Sequence, residues 1–175
     1  MKQGLVILDL DHTIISAVEM DKLKTVKHPE AFPYKDFADS YRIYERPYLQ
    51  QFLDKLFKSY RVAVWTAAGI SYANFIIQNF ILTKPSRALE FVMWREHCDY
   101  SEEKYDHQKK LKLLDFIKDE HVILDDNDEV LKTQKDRSVD SRDFNVAYED
   151  TKEDDFLLYA IDEIEKKLKR QRKIK

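Results

Sequence analysis

Leu5-Val6-Ile7-Leu8-Asp9-Leu10-Asp11-His12-Thr13 is the stretch on which the reading of this chain turns. Four consecutive large aliphatic residues have the length and composition of a fully buried strand, and the run ends abruptly in two carboxylates, an imidazole and a hydroxyl. Short apolar runs closing on polar residues recur at Val62 to Thr66, Phe91 to Trp94 and Val122 to Asp125. Helical periodicity fills the intervals. Leu49, Phe52, Leu53, Leu56 and Phe57 mark one buried face just after Pro47; Ala73, Ile76, Ile77 and Phe80 mark a second, and Leu111, Leu114 and Ile117 a third. This alternation predicts an α/β fold with a largely parallel central sheet and helices on both of its faces.

Outward from that core, Thr151 and Asp154 are spaced as a capping box ahead of Phe156, Leu157, Ala160, Ile161, Ile164 and Leu168, which predicts a C-terminal helix. Residues 14–46 are too long for a strand-to-helix loop, and Pro29, Pro33 and Pro47 lie in or beside them. An insertion carrying a small β-hairpin is expected there, with no large cap. The lysine- and arginine-rich end, residues 166–175, reads as a solvated helix terminus.

The composition excludes several classes. At 175 residues and 43% hydrophobic content the chain fits one domain spanning 1–175. Charged residues are 36% of the total yet nearly balanced, with a formal net charge of -3, so nucleic acid is not the expected partner. Cys98 is the single cysteine, which rules out an internal disulfide and a cysteine-rich zinc site and fits an intracellular compartment, cytoplasm or nucleus. The run from Leu5 to Leu8 is far shorter than a signal core or a membrane span, so no membrane association is expected. With only Gly4 and Gly69, the chain holds no phosphate-cradling glycine loop. Phosphate chemistry here must come from carboxylates, a metal ion, a lysine and a few backbone amides.

The residues that close the strands supply those parts. Ligands of open α/β sheets gather at the carboxyl ends of the strands. There stand Asp9, Asp11 and Thr13 after the first run, Thr66 after the second and the pair Asp125 and Asp126 at the last, with Lys109 and Lys110 ahead of it. A phosphate monoester dianion repels an attacking carboxylate until a hard divalent cation and an ammonium neutralise it. Asp9 as nucleophile would split hydrolysis into two displacements, and Asp11, two positions on, is placed to protonate the leaving oxygen and then to activate water. The Thr66 hydroxyl, neighbouring amides and the lysine would hold the transferring oxygens. Taken alone, Asp9 to Thr13 reads equally well as a strand followed by an Asx turn; the order of the later residues shifts that balance.

At this point the chain resembles the haloacid dehalogenase superfamily, and within it the branch of C-terminal-domain phosphatases related to the NLI-interacting factor. Asp9-Leu-Asp-His-Thr is similar to that branch's Asp-Leu-Asp-Glu-Thr, and Val64-Trp65-Thr66-Ala67-Ala68 to its Phe-Thr-Ala-Ser. Arg46-Pro47 with Phe52-Leu53 matches the Arg-Pro at the start of its first long helix. Trp94-Arg95-Glu96-His97-Cys98 resembles its Phe-Arg-Glu-Ser-Cys, and Ile123-Leu124-Asp125-Asp126 its final acidic motif. The resemblance implies magnesium as cofactor, held by Asp9, Asp126 and the Asp11 backbone carbonyl, with Asp125 positioning the motif lysine. Lys109 matches that lysine in register, Lys110 being one position out. Thr13, Thr66, Arg95 and Lys109 are the implied phosphate contacts, and a monomer acting on phosphoserine or phosphothreonine in a peptide or protein is the implied assembly and partner. Three positions depart from the pattern: His12 replaces a glutamate, two residues are added between Cys98 and Lys109, and Gly69 stands where a larger side chain is usual.

Other classes fit less well. A receiver domain carries its acidic pair first and its phospho-acceptor on a later strand, the reverse of this order. Metal-dependent nucleases do not require Thr66 and Lys109. A catalytically silent adaptor, or a small-molecule phosphatase of the same fold, remains as the alternative, and intact Asp9 and Asp11 weigh against the silent form.

Overall fold

The structure, a computed structural model, describes residues 2, 4–101, 106–110, 114–115 and 120–174. Its frame is a five-stranded sheet built from β1 (Leu5–Leu8), β5 (Arg61–Trp65), β6 (Val92–Met93), β9 (His121–Asp125) and β10 (Ser138–Asp140). These run in the order β10-β9-β1-β5-β6, every neighbouring pair parallel. The chain grows outward from β1 through β5 to β6 and then returns to the other side of β1 with β9. The order therefore reverses at β1 and β9, the place where open α/β sheets open a crevice for ligands.

All four residues of β1 are buried because both faces of the strand are covered. Val6 and Leu8 pack on one face with α1 (Leu49–Ser59), α2 (Ile70–Ile76) and α4 (Phe156–Ile174), through Phe52, Leu56, Ala73, Ile76, Leu157 and Ile164. Leu5 and Ile7 point to the opposite face, packing with Trp65, Leu114, Ile123 and Val130, the last from α3 (Asp128–Thr133). α2 widens into a π-helical turn over Ile77–Ile81, where Ile77, Phe80 and Ile81 remain buried. Gly4 enters β1 with φ +131°, and a Cβ there would stand 3.0 Å from the Glu120 carbonyl, so both conformation and space call for glycine. The helix expected from Leu111, Leu114 and Ile117 falls largely outside the described residues.

The insertion after the first strand is larger than a hairpin. β2 (Ile15–Glu19), β3 (Tyr34–Phe37) and β4 (Tyr41–Glu45) form an antiparallel sheet in the order β2-β4-β3. The tight link between β3 and β4 is the hairpin the prolines suggested, and β2 adds the third strand from the motif side. A two-stranded antiparallel pair, β7 (Asp99–Ser101) and β8 (Asp106–Gln108), precedes Lys109. Among the described residues no helix is long and apolar enough to cross a membrane.

One local expectation is corrected. Thr151 does not cap the C-terminal helix: it opens a separate 3₁₀ turn, Thr151–Glu153, and its hydroxyl donates to the Asn145 carbonyl at 2.6 Å. Asp154 is taken by Arg46, whose Nε and Nη2 donate to its two oxygens at 2.9 and 2.7 Å. A fully buried guanidinium is a stronger claimant on a carboxylate than a helix end is.

Candidate active site

The motif loop after β1 is folded around one acceptor. The Leu10 carbonyl receives the amides of Thr13, Ile14 and Ile15 at 3.3, 3.0 and 3.2 Å, which turns the chain back sharply and carries His12 at φ 60°. Arg46 braces the turn from below by donating to the Thr13 carbonyl at 2.8 Å and to the Arg142 carbonyl at 3.2 Å. Asp9 is left at the sheet's carboxyl edge, its amide bonded to the Leu124 carbonyl at 3.0 Å.

Around that edge lies an open cavity of about 570 Å³. Asp9, Asp11, Thr66, Arg95, Lys109, Asp125 and Asp126 all line it, so seven of the eight side chains singled out in the sequence converge on one space. Thr13 is the exception. It is fully buried beneath the cavity, where its hydroxyl donates to Asp126 Oδ1 at 3.1 Å and lies 3.0 Å from the Ser141 hydroxyl. Thr13 thus lies outside the cavity lining, and its hydroxyl steadies Asp126. Lys110, the out-of-register alternative to Lys109, is exposed and lines a separate cavity that Asp9 does not reach.

Lys109 is the hub. Its buried ammonium donates to Asp9 Oδ1 and to Asp125 Oδ2, the latter at 2.7 Å. The other oxygen of Asp125, Oδ1, accepts the Asn127 amide at 2.9 Å, so both oxygens of that fully buried carboxylate are engaged. Thr66 accepts the Ala68 amide on its hydroxyl oxygen at 3.1 Å, which leaves its proton to be donated into the cavity. Arg95 is exposed at the mouth and tethered through Nε to the Ala67 carbonyl at 3.0 Å. Asp11 accepts a hydrogen bond on Oδ1 from the Tyr72 hydroxyl at 2.5 Å.

The electrostatics are those of an excess of carboxylates. Burial raises Asp9 well above the usual carboxylate range even though the Lys109 ammonium pulls it down and Asp125 pushes it further up. Asp11 is raised by burial against the Tyr72 hydrogen bond, and Asp126 by burial and then by Asp125. Lys109 loses by burial but gains more from Asp125 and Asp9, so its proton is held above the usual lysine range. Four carboxyl groups thus face one buried ammonium.

A divalent cation suits that imbalance. Oxygens of Asp9, Asp125 and Asp126 lie within 4.8 Å of one another, a set of hard oxygen donors of the kind magnesium accepts. Because Asp125 already serves Lys109 and Asn127, Asp9 and Asp126 are the carboxylates best placed to hold the ion.

Residues outside the predicted set of site side chains complete the walls. Tyr72 lies six positions beyond Thr66, on the face of α2 beside its buried residues, and Phe37 and Tyr41 reach in from the insertion to pack edge-on against its ring. His12 lines the mouth, its Nδ1 2.8 Å from Asp143 Oδ1. A Cβ at Gly69 would meet nothing within 4 Å, so this glycine leaves the cavity wall open where a larger side chain would fill it.

An acidic and lysine-bearing crevice at the reversal point of a parallel sheet defines a phosphate-handling α/β enzyme. Comparison with known proteins gives the family: the chain belongs to the NLI interacting factor-like phosphatases, whose pattern it matches over residues 4–175, and it is a phosphatase of that type. It is 40% identical over 144 residues to the CTD phosphatase-like protein 355R of Invertebrate iridescent virus 6, covering 74% of this chain and 79% of the relative. The protein of the same description in Invertebrate iridescent virus 3 is also 40% identical, over 71% of this chain and 70% of its own length. Two solved structures share the fold. An arginine variant of the fission yeast RNA polymerase II CTD phosphatase Fcp1 bound to beryllium fluoride superposes with TM-score 0.56 at 21% identity, over 79% of this chain and 41% of the other. A further Fcp1 structure gives 0.57 at 19% identity, over 98% and 53%. The chain thus spans about half or less of those two structures.

Proposed function

We propose that this protein is a magnesium-dependent phosphoprotein phosphatase that works through an aspartyl-phosphate on Asp9. The observation that carries the reading is the Lys109 ammonium bridging Asp9 and Asp125 beside the Thr66 hydroxyl at the carboxyl ends of β1, β5 and β9. The name of the viral relatives, CTD phosphatase-like, supports a phosphorylated protein tail as the substrate, and phosphoserine or phosphothreonine within it is the part the sequence resemblance implies. The domain limits, monomeric state and intracellular location expected from the sequence belong to the same proposal.

In this scheme the substrate phosphate sits over Asp9, its oxygens taken by Lys109 and Thr66, with Arg95 at the mouth for a further oxygen or a neighbouring charge. Magnesium, held by Asp9, Asp126 and the Asp11 backbone carbonyl, would neutralise charge on the phosphate and offset the repulsion between dianion and nucleophile. The Asp9 carboxylate attacks phosphorus, the bond to the ester oxygen breaks, and Asp11 gives its proton to that oxygen as the alcohol departs. Water then attacks phosphorus while Asp11 takes its proton, which frees inorganic phosphate and restores the Asp9 carboxylate. Burial fits Asp11 to the first role, since a carboxyl raised above its ordinary range keeps its proton closer to neutral pH.

Turnover of 4-nitrophenyl phosphate and of a phosphoserine peptide, with magnesium and with a chelator, tests the reading. Metal-dependent release of phosphate that disappears in Asp9→Asn is expected. Phosphopeptide binding without turnover at any divalent metal would instead assign the adaptor role, and turnover confined to non-peptide phosphates would assign a small-molecule phosphatase.

A further inference from the structure

We propose that Tyr72 is a positioning residue for the acid-base step: its hydroxyl fixes the Asp11 carboxyl so that Oδ2 is the oxygen that carries the proton to the leaving group. The inference rests on the reading of Asp11 given above. Its starting point is geometry that the nucleophile, the metal ligands and Lys109 do not use. The Tyr72 hydroxyl lies 2.5 Å from Asp11 Oδ1, across sixty-one residues of chain. A phenol donates and a carboxyl oxygen accepts, so Oδ1 is engaged as the acceptor. In the neutral carboxyl the proton then resides on Oδ2, and in the carboxylate Oδ2 is the oxygen open to take a proton from water. One hydrogen bond thereby defines the reactive oxygen in both half-reactions.

The hydroxyl is held there by more than its own bond. Tyr72 stands in the first turn of α2, only a few residues beyond Thr66, so the strand end that supplies Thr66 also sets the origin of the helix. Its ring is clamped edge-on by Phe37, at 5.5 Å between centroids and 89° between planes, and by Tyr41, at 6.0 Å and 72°. Phe37 closes β3 and Tyr41 opens β4, so the hairpin of the insertion reaches the acid-base group through this ring. Aromatic edges packed in this way restrict rotation of the ring, and a group pre-oriented at a fixed oxygen avoids reorganisation during reaction. Phe75, which packs against Phe37 at 5.1 Å, closes the other side of the cluster.

Tyr72→Phe removes only the hydroxyl and keeps the ring that packs on Phe37 and Tyr41. The test compares kcat/KM, which covers the steps through transfer to Asp9, for a phosphoserine peptide and for 4-nitrophenyl phosphate. An alkoxide leaving group needs its proton, whereas nitrophenolate needs little. Tyr72→Phe is expected to lower kcat/KM on the phosphopeptide by about tenfold or more while lowering it on the aryl ester by less than about threefold. The loss on the peptide is expected in kcat, with KM moved less than about threefold. In an Asp11→Asn background the same substitution should cost nothing further on either ester, because Tyr72 acts through Asp11. Equal losses on both esters, or a loss that persists in Asp11→Asn, would overturn the positioning role while leaving the phosphatase reading in place. A wild-type protein that turns over neither ester would overturn both.

Discussion

Thr66 offers the cleanest single-residue experiment. Its hydroxyl oxygen already accepts the Ala68 amide, so what it can give a substrate is one proton aimed into the cavity. Thr66→Val keeps shape and removes that donor; kcat/KM should fall by about a hundredfold, the order observed when one pre-organised donor to developing charge is lost. Thr66→Ser should recover most of the activity. A valine variant as active as the wild type would remove Thr66 from the site. Lys109→Met is expected to be harsher, because it leaves Asp9 and Asp125 facing each other in a buried space. Breaking a buried pair in this way costs about 3 to 5 kcal/mol, so the urea midpoint should fall along with the activity. Much of this residue-level picture was legible in the order Asp9, Asp11, Thr66, Lys109, Asp125, Asp126, since strand ends in an open parallel sheet converge on one edge. The placement of Thr13 beneath the cavity was not legible, because a hydroxyl in a sequence declares that it can donate, not in which direction. Tyr72 escaped notice because it lies beside the apolar positions Ala73 and Ile76 and forms its bond to a residue on another element.

At the scale of elements, Arg46 ties three segments together: the motif loop through the Thr13 carbonyl, the segment after β10 through the Arg142 carbonyl, and the approach to α4 through Asp154. Phe144 and Phe156 flank the guanidinium at 5.4 and 5.0 Å, so it is fully enclosed. Asp154→Ala leaves that buried cation without its carboxylate, and a loss of about 3 kcal/mol in equilibrium unfolding is expected. An effect within 0.5 kcal/mol, the range of ordinary surface changes at about that size, would show the brace to be dispensable. The sequence offered Arg46 only as a match to a family pattern and offered Asp154 as a helix cap. Local spacing favours the nearest partner, and the true partner is 108 residues away. The strand β10 was missed for a related reason. Ser138-Val139-Asp140 contains no apolar run, and it is a strand only because β9 offers Ile123, Leu124 and Asp125 in register. The third strand of the insertion likewise emerges from pairing, Ile15 to Glu19 lying opposite Tyr41 to Glu45.

For the whole molecule, the concentration of carboxyls at one edge links stability to both pH and metal. Asp9, Asp11 and Asp126 are all raised in the folded protein, so between the ordinary carboxylate value of about 4 and their raised values the folded state holds protons that the unfolded chain has released. Their contribution is complete at the acid end of that window and is lost as pH rises through it. Asp36, Asp54 and Glu163, lowered by their partners Arg42, Lys84 and Lys166, work in the opposite sense, but these are exposed pairs that water screens. In a chelator the melting temperature should therefore decline as pH rises above about 4 and through the raised range of these three groups. Magnesium competes with those protons, so the rise in melting temperature it produces should be large at the upper pH and small at the lower. A magnesium effect independent of pH, measured by calorimetry across that range, would contradict the assignment of the ion to this carboxylate cluster.

In the proposed reaction, phosphate passes through Asp9. The most direct measurement is mass spectrometry of peptides from acid-quenched enzyme after exposure to 4-nitrophenyl phosphate and magnesium, using Asp11→Asn so that the second displacement is slowed and the covalent form accumulates. One phosphoryl group is expected on the peptide containing Asp9, released by hydroxylamine as an acyl phosphate is, and absent when Asp9 is also changed to Asn. Phosphoryl label on another residue, or sustained turnover by the single variant Asp9→Asn, would contradict it.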